Sequence, residues 1–141
     1  RRIIDVGTGA GLPGIVLAII WPHKSIHLLD TNGKKTRFLT HFKYLHQLNN
    51  VEIINQRCEN YVPDVSYNIV LSRAFSSITD MLTGCHQLVC DDGVFVAMKG
   101  TYPQQELDAM PKIYRLINCD ALQVPGVNAQ RHLLTIKKRL A

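Results

Sequence analysis

The sequence lacks a long apolar run and a paired cysteine motif. No stretch of its 141 residues approaches the roughly 20 consecutive apolar residues that a membrane span requires, and none resembles a signal peptide. The four cysteines, Cys58, Cys85, Cys90 and Cys119, show no C-x-x-C spacing, as is typical of reduced thiols. These absences predict a cytoplasmic protein that does not enter a membrane.

The histidines show no metal-ligand spacing with the cysteines, which predicts that the chain has no metal site. Hydrophobic residues make up 46% of the chain, enough for one sizeable core, so residues 1–141 are expected to form a single domain. Arg1-Arg2 stands directly before an apolar strand without an initiating Met, which suggests a fragment whose N-terminal part is absent. The net charge of +5 favours polyanionic partners, although basicity alone is weak evidence.

A glycine-rich segment, Asp5–Gly14, is the most informative feature that is present. It follows the apolar residues Ile3-Ile4 and precedes an apolar run, and a second strand then ends in Asp30. Glycines allow positive φ and a close approach of ligand to backbone, and a helix N-terminus favours an anionic group. The order of strand, glycine turn, helix, strand and acid predicts a nucleotide-binding α/β unit. Asp30 would accept hydrogen bonds from the ribose hydroxyls.

The glycines alone fit two cofactors. Residues 9–14 satisfy the dinucleotide pattern G-x-G-x-x-G, whereas residues 5–11 satisfy the D/E-x-G-x-G-x-G pattern of S-adenosylmethionine enzymes. Asp5 favours the second pattern because dinucleotide folds usually keep that position apolar. Asp5 either supports the glycine loop through backbone N–H groups or touches the ligand. The chain also offers no obvious second half for a nicotinamide or flavin.

Strand and helix patterns alternate along the chain, which predicts a mostly parallel sheet covered by helices. Residues 12–20 are apolar on all sides and predict a buried helix. Residues 91–93, Asp-Asp-Gly, predict a turn that follows a helical stripe ending at Val89. Helical spacing over 107–116 predicts a further helix. Residues 121–124 and 133–137 predict an antiparallel pair joined at 125–128.

Several segments together resemble the bacterial small-subunit ribosomal RNA guanine-N7 methyltransferase family, RsmG or GidB, over essentially the whole chain. They are Asp5–Gly14, Leu28–Asp30, Lys34–Leu39, Ser72–Ser77, Met98–Gly100, Gln123–Pro125 and Arg131–Leu133. The resemblance implies a Rossmann-like class I S-adenosylmethionine-dependent methyltransferase with a mostly parallel seven-stranded sheet and an antiparallel C-terminal edge hairpin. It also implies methyl transfer to N7 of a guanine in 16S ribosomal RNA. Family members carry an N-terminal helical segment that this chain lacks.

The resemblance also implies site residues. The family's cofactor contacts carry over to Gly7, Leu12, Cys58, Glu59 and Arg73, beside the ribose ligand Asp30. Candidate substrate-binding residues are Arg73, Lys99 and Arg131. Lys99 could instead be a structural strand lysine, and Arg131 with His132 an ordinary hairpin turn. The expected partner is 16S ribosomal RNA or the small-subunit particle, and the expected oligomeric state is a monomer.

The chemistry of the residues agrees with this target. Ser72-Arg73-Ala74-Phe75 stands where enzymes that methylate exocyclic amines usually carry N/D-P-P-Y/F, and the chain has no Pro-Cys nucleophile. Guanine N7 is already a lone-pair nucleophile without a proton, so in-line positioning suffices and no catalytic acid or base is predicted. A methyltransferase acting on a small molecule and a dinucleotide-binding regulatory module remain as alternatives.

Overall fold

A computed structural model describes residues 1–123, 125–126 and 128–139 of the chain, and seven strands in this part form one sheet. The strands are β1 (Arg2–Val6), β2 (Ser25–Asp30), β3 (Val51–Asn55), β4 (Tyr67–Ser72), β5 (Val89–Lys99), β6 (Tyr114–Leu122) and β7 (Arg131–Lys138). The helices are α1 (Gly14–Ile20), α2 (Gly33–Leu45), α3 (Ile78–Cys85) and α4 (Gln104–Asp108), with a 3-10 turn at Cys58–Asn60.

The sheet order is β3-β2-β1-β4-β5-β7-β6. Neighbouring strands from β1 to β5 pair in parallel, and β7 runs antiparallel to both β5 and β6. This arrangement confirms the predicted mostly parallel seven-stranded sheet with an antiparallel C-terminal pair. The chain reverses its direction of winding between β1 and β4, and ligands of such sheets bind outside the carboxyl ends of the strands at that point.

Helices cover both faces of the sheet, which is why the central strands are apolar on both sides. Ile15 and Ala18 of α1 and Leu39 of α2 pack on one face. Met81 and Leu82 of α3 pack on the opposite face. The two clusters fix the carboxyl edge of the sheet, where the loops after β1, β2, β4 and β5 come together.

The structure corrects the prediction that residues 12–20 form a helix buried on all sides. The helix α1 begins at Gly14 and buries Gly14, Ile15 and Ala18. Val16, Ile19 and Ile20 are 44%, 58% and 60% exposed. A helix that lies flat on a sheet can bury only one face, so the apolar residues on its other face meet solvent.

The predicted helix over 107–116 is also wrong. The helix α4 ends at Asp108 and β6 begins at Tyr114. Pro111 lies between them, and a proline removes a backbone donor and disfavours a helical residue before it. The Tyr114 ring instead packs edge-on against Phe95, with 5.8 Å between the ring centroids. The last strand pair therefore starts earlier than predicted, and Val124 and Val127 lie outside the described residues.

Residues 91–93 do not form the predicted turn between a helix and a strand. They lie within β5 as an irregularity, because Tyr67 pairs with Val89 whereas Ile69 pairs with Val94. Val89 therefore opens the strand and does not belong to the helical stripe. A Cβ at Gly93 would lie 2.8 Å from the Asn68 carbonyl oxygen, so the close approach of β4 requires glycine there.

Candidate functional site

The loop after β1 carries three glycines in the left-handed region, with φ of +70° at Gly7, +61° at Gly9 and +96° at Gly11. Such φ values favour glycine because other residues are strained there. The Gly7 and Thr8 amides both donate to the Leu29 carbonyl oxygen, at 2.8 and 3.1 Å. These bonds fold the loop over the end of β2 and place it at the carboxyl edge of the sheet.

Gly7 is required by the protein itself as well as by any ligand. An added Cβ would overlap the Cβ of Ala74 in the loop after β4. A larger residue at this position disturbs the contact between two loops first, so loss of binding in a Gly7 variant would not by itself report a cofactor contact.

Asp5 is a buried carboxylate that supports the glycine loop from below. Its Oδ2 accepts hydrogen bonds from the Thr8 hydroxyl at 2.7 Å and from the Gly14 amide at 2.9 Å. These contacts favour the supporting role over direct ligand contact. Burial raises the pKa of Asp5 to about 6, although the two hydrogen bonds and the Arg73 charge act in the opposite direction.

We expect Asp5→Asn to remove a pH-dependent loss of stability. The pKa of Asp5 is about 6 in the folded chain against 3.8 as its ordinary value. The contribution of Asp5 to the free energy of unfolding is therefore fully present below about pH 4. It is lost as the pH rises through 6, by up to about 3 kcal/mol. Asparagine keeps an acceptor for Thr8 and Gly14 without the buried charge. In thermal unfolding from pH 4.5 to 8, the variant's melting temperature should rise relative to wild type as the pH increases; a constant difference would refute this.

Asp30 ends β2 and faces the glycine loop. Its Oδ2 accepts from the Gly9 amide and its Oδ1 from the Asn32 amide, both at 2.8 Å. Each carboxylate oxygen has two acceptor positions, so Asp30 can still accept bonds from hydroxyl groups of a ligand. The same side chain thus fixes the loop and presents acceptors at the sheet edge.

Asp30 lines a first pocket, which has a volume of about 270 Å³. Four of the six predicted cofactor residues line this first pocket, namely Gly7, Asp30, Cys58 and Glu59. The other lining residues are Val6, Leu29, Thr31, Arg57, Ala74 and Phe75. Among the described residues, Leu12 and Arg73 do not line it.

The residues after β3 add a neutral thiol and a carboxylate to the first pocket. The Cys58 thiol donates to Glu59 Oε2 at 3.1 Å. Burial raises the pKa of Cys58. The pKa of Glu59 is lowered by hydrogen bonds from the Glu59 backbone amide and from the Cys58 thiol. Cys58 is therefore a protonated donor, and a thiol in that state is a poor nucleophile.

A second pocket, of about 370 Å³, is the larger of the two at this edge and has a cationic lining. All three predicted substrate residues, Arg73, Lys99 and Arg131, line it. The remaining lining residues are Met98, Gly100, Leu122 and His132. The Nδ1 atom of His132 donates to the Gly100 carbonyl oxygen at 2.7 Å, which holds the ring against the end of β5.

The loop after β4 separates the two pockets. Ala74 and Phe75 line the first pocket, and the adjacent Arg73 lines the second. Ser72 anchors this loop, because its hydroxyl donates to the Val6 carbonyl oxygen at 2.7 Å and accepts from the Ala74 amide at 3.0 Å. Sequence reasoning missed the roles of Ser72 and Ala74; their one signal was membership of the Ser72–Ser77 segment.

Two further results concern membrane-crossing helices and metal sites among the described residues. None of their helices is long and apolar enough to cross a bilayer. In the same part of the chain, no group of three or more histidine, cysteine or acidic side chains is arranged to hold a metal ion.

Several solved structures of similar fold are named as methyltransferases. TrmN from Thermus thermophilus superposes with a TM-score of 0.77 at 16% identity, covering 98% of this chain and 44% of that one. Coclaurine N-methyltransferase bound to N-methylheliamine and SAH superposes with a TM-score of 0.72 at 11% identity, covering 86% of this chain and 46% of that one. At these identities the likeness shows the fold alone, which is the class I methyltransferase fold.

Relatives found by sequence share a much higher identity with this chain than these structures do. Ribosomal RNA small subunit methyltransferase G of Shewanella denitrificans is 46% identical over 140 residues, which are 99% of this chain and 67% of the relative. The protein of the same name from Aeromonas salmonicida is 49% identical over 137 residues, 97% of this chain and 66% of the relative. The chain thus spans about two thirds of their length. The family model for rRNA small subunit methyltransferase G matches residues 1–134, and the chain belongs to this family.

Proposed function

We propose that residues 1–141 form one methyltransferase domain that transfers a methyl group from S-adenosylmethionine to N7 of a guanine in 16S ribosomal RNA. One observation carries this proposal. Two pockets lie at the carboxyl edge of the sheet, and consecutive residues of one loop line them, Arg73 the second pocket and Ala74 with Phe75 the first. A methyl donor and a methyl acceptor need this kind of arrangement, because the reaction is a direct transfer between two bound groups.

The first pocket fits the cofactor. Asp30 presents acceptor positions suited to ribose hydroxyls, and the neutral Cys58 with Glu59 forms the wall suited to the adenine. Gly7 and Leu12 belong to the loop at whose end α1 begins. Arg73 stands at the boundary with the second pocket, where its guanidinium would pair with the cofactor carboxylate or an RNA phosphate. When bound, S-adenosylmethionine supplies a methyl group activated by its sulfonium.

The second pocket fits an acceptor-rich base beside phosphate. Arg73 and Arg131 bring cationic donors to its wall, and Lys99 adds a third positive charge there; guanine presents its O6 and N7 atoms as adjacent acceptors. Among the described residues that line this pocket there is no carboxylate. Guanine N7 has no proton to lose, so positioning by these side chains is sufficient and the proposal assigns no catalytic base.

The RNA partner agrees with the charge and shape of this end of the molecule. The chain carries a net charge of +5, and a further cavity of about 410 Å³ shares Leu122, Arg131 and His132 with the second pocket. The cavity continues from Arg131 toward the β6–β7 connection, where its lining residues are neutral. We propose 16S ribosomal RNA or the small-subunit particle as substrate, a monomeric state and a cytoplasmic location.

Methyl incorporation tests the proposed function. The intact protein is incubated with S-adenosylmethionine labelled in its methyl group and with small-subunit particles or protein-free 16S RNA from a strain that lacks the modification. Label should enter the RNA of at least one substrate. Label in neither RNA substrate, with transfer to small molecules of a cell extract, would instead identify a small-molecule methyltransferase.

A further inference from the structure

One ion pair at the carboxyl edge joins the end of β5, the helix α4 and the segment between β4 and α3. Lys99, the last residue of β5, places its Nζ 2.9 Å from Glu106 Oε1 of α4. The same Nζ donates to the Phe75 carbonyl oxygen at 3.2 Å. Glu106 Oε1 also accepts from the Ile78 amide at 2.9 Å. The pair thereby holds the segment between β4 and α3 at Phe75, in its middle, and at Ile78, the first residue of α3.

Burial makes this pair different from an ordinary surface ion pair. The side chains of Lys99 and Glu106 are 15% and 29% exposed, with 2.9 Å between the charged atoms. Arg57 and Glu59 are 70% and 54% exposed at 3.8 Å. Exposed pairs contribute little to stability, whereas removal of one partner from a pair withdrawn from solvent leaves the other charge uncompensated.

Apart from Leu107, which packs partly buried against the core, the short helix α4 is held to the rest of the chain mainly by this contact. None of its five residues is fully buried, and it has no side-chain hydrogen bond at its N-terminal cap. Glu106 lies in the first turn of α4 and reaches back to Ile78 and Lys99. Loss of the pair would therefore loosen the loop around Phe75, while Ser72 still anchors its start and the sheet and the core beneath α3 stay closed.

Building on the function proposed above, we propose that Lys99 and Glu106 are positioning residues for methyl transfer. They fix residues 73–77 between the two pockets, and so they set where Arg73 and Phe75 stand. Lys99 lines the second pocket, but its ammonium is engaged by Glu106 and the Phe75 carbonyl oxygen. Its effect on the reaction passes through the loop.

If Lys99 acted by contacting the substrate directly, the expected effect of a Glu106 substitution on turnover would be different. Among the described residues, Glu106 lines neither pocket. If Lys99 serves by touching RNA, then removal of Glu106 leaves turnover intact. If the pair positions the loop, loss of either partner has the same consequence, and loss of both is no worse than loss of one.

The test measures kcat and the KM for RNA in the intact protein for Lys99→Met, Glu106→Ala and the double variant. We expect each variant, including the double, to lower kcat about tenfold or more, since small misplacements of reacting groups are costly, with the KM for RNA changed less than about twofold. Glu106→Gln keeps an acceptor oxygen for Ile78 and should retain more activity than Glu106→Ala. Asp108→Asn is the matched control, because Asp108 lies in the same helix and bonds only to Gln104 among the described residues.

Amide hydrogen exchange gives a readout that does not depend on turnover. Exchange at residues 73–78 should accelerate in Glu106→Gln and in Glu106→Ala, but not in Asp108→Asn. A raised KM for RNA in Lys99→Met beside normal kinetics in Glu106→Ala would overturn the positioning role. Absence of RNA methylation by the wild-type protein would instead count against the proposed function itself, so the two failures are distinguishable.

Discussion

Replacement of Arg73 by alanine is expected to lower methyl transfer by about tenfold or more and to leave the melting temperature nearly unchanged. Arg73 is exposed and lines the second pocket directly beside the loop residues that line the first. A guanidinium there holds a carboxylate or phosphate through two parallel hydrogen bonds. Removal of an exposed side chain outside the core typically changes stability by about 0.5 kcal/mol or less.

Two variants sharpen the Arg73 measurement. Arg73→Lys keeps the charge but not the forked geometry, so it should restore only part of the lost activity. Arg115→Ala removes an exposed arginine near the start of β6, outside both pocket linings, and should behave as wild type. Full activity in Arg73→Ala, measured as initial rates on the same RNA substrate, would remove this residue from the site.

Asp30→Ala is expected to weaken binding of S-adenosylhomocysteine, the demethylated product, by about ten- to a hundredfold. A hydrogen bond to a charged acceptor typically contributes about 1.5–3 kcal/mol. The variant should also lose some stability, because the Gly9 and Asn32 amides lose their acceptor. Calorimetric titration of the folded variant measures the affinity, and thermal unfolding measures the stability.

Asp64→Ala serves as the control for the cofactor titration, since Asp64 is exposed and lies outside both pocket linings. Unchanged affinity in folded Asp30→Ala would show that this carboxylate does not bind the ribose. Tighter binding of NAD than of S-adenosylhomocysteine by the wild-type protein would remove the cofactor assignment altogether.

Local signals account for what the sequence predicted correctly about the fold. The conformations of the glycine loop, of Asp30 and of the apolar strands are determined largely by residues adjacent in the sequence. The parallel sheet follows from the alternation of these strands with helices. Helical spacing over 107–116 was misleading because Leu107 of α4, Met110 of the following connection and Leu116 of β6 all pack against the same core. Short apolar patterns do not distinguish helix from strand when both are half-buried.

The site was predictable only in part, because its remaining contacts join distant parts of the chain. The two pockets together gather five of the six predicted cofactor residues and all three predicted substrate residues, but their individual roles stay predictions. The anchor from Ser72 to the Val6 carbonyl oxygen joins residues 66 positions apart, and the bond from Ile78 to Glu106 joins residues 28 apart. Such pairs leave no periodic pattern in a single sequence.

The central claim is that the second pocket presents N7 of a guanine to the methyl donor, and mapping of the methyl group tests it most directly. Borohydride reduction followed by aniline cleavage breaks RNA at 7-methylguanosine, and nucleoside mass spectrometry identifies the modified base. RNA methylated by the intact protein should be cleaved at a single guanine and yield 7-methylguanosine. A methyl group found instead on an exocyclic amine, on a ribose hydroxyl or on cytosine C5 would contradict the account.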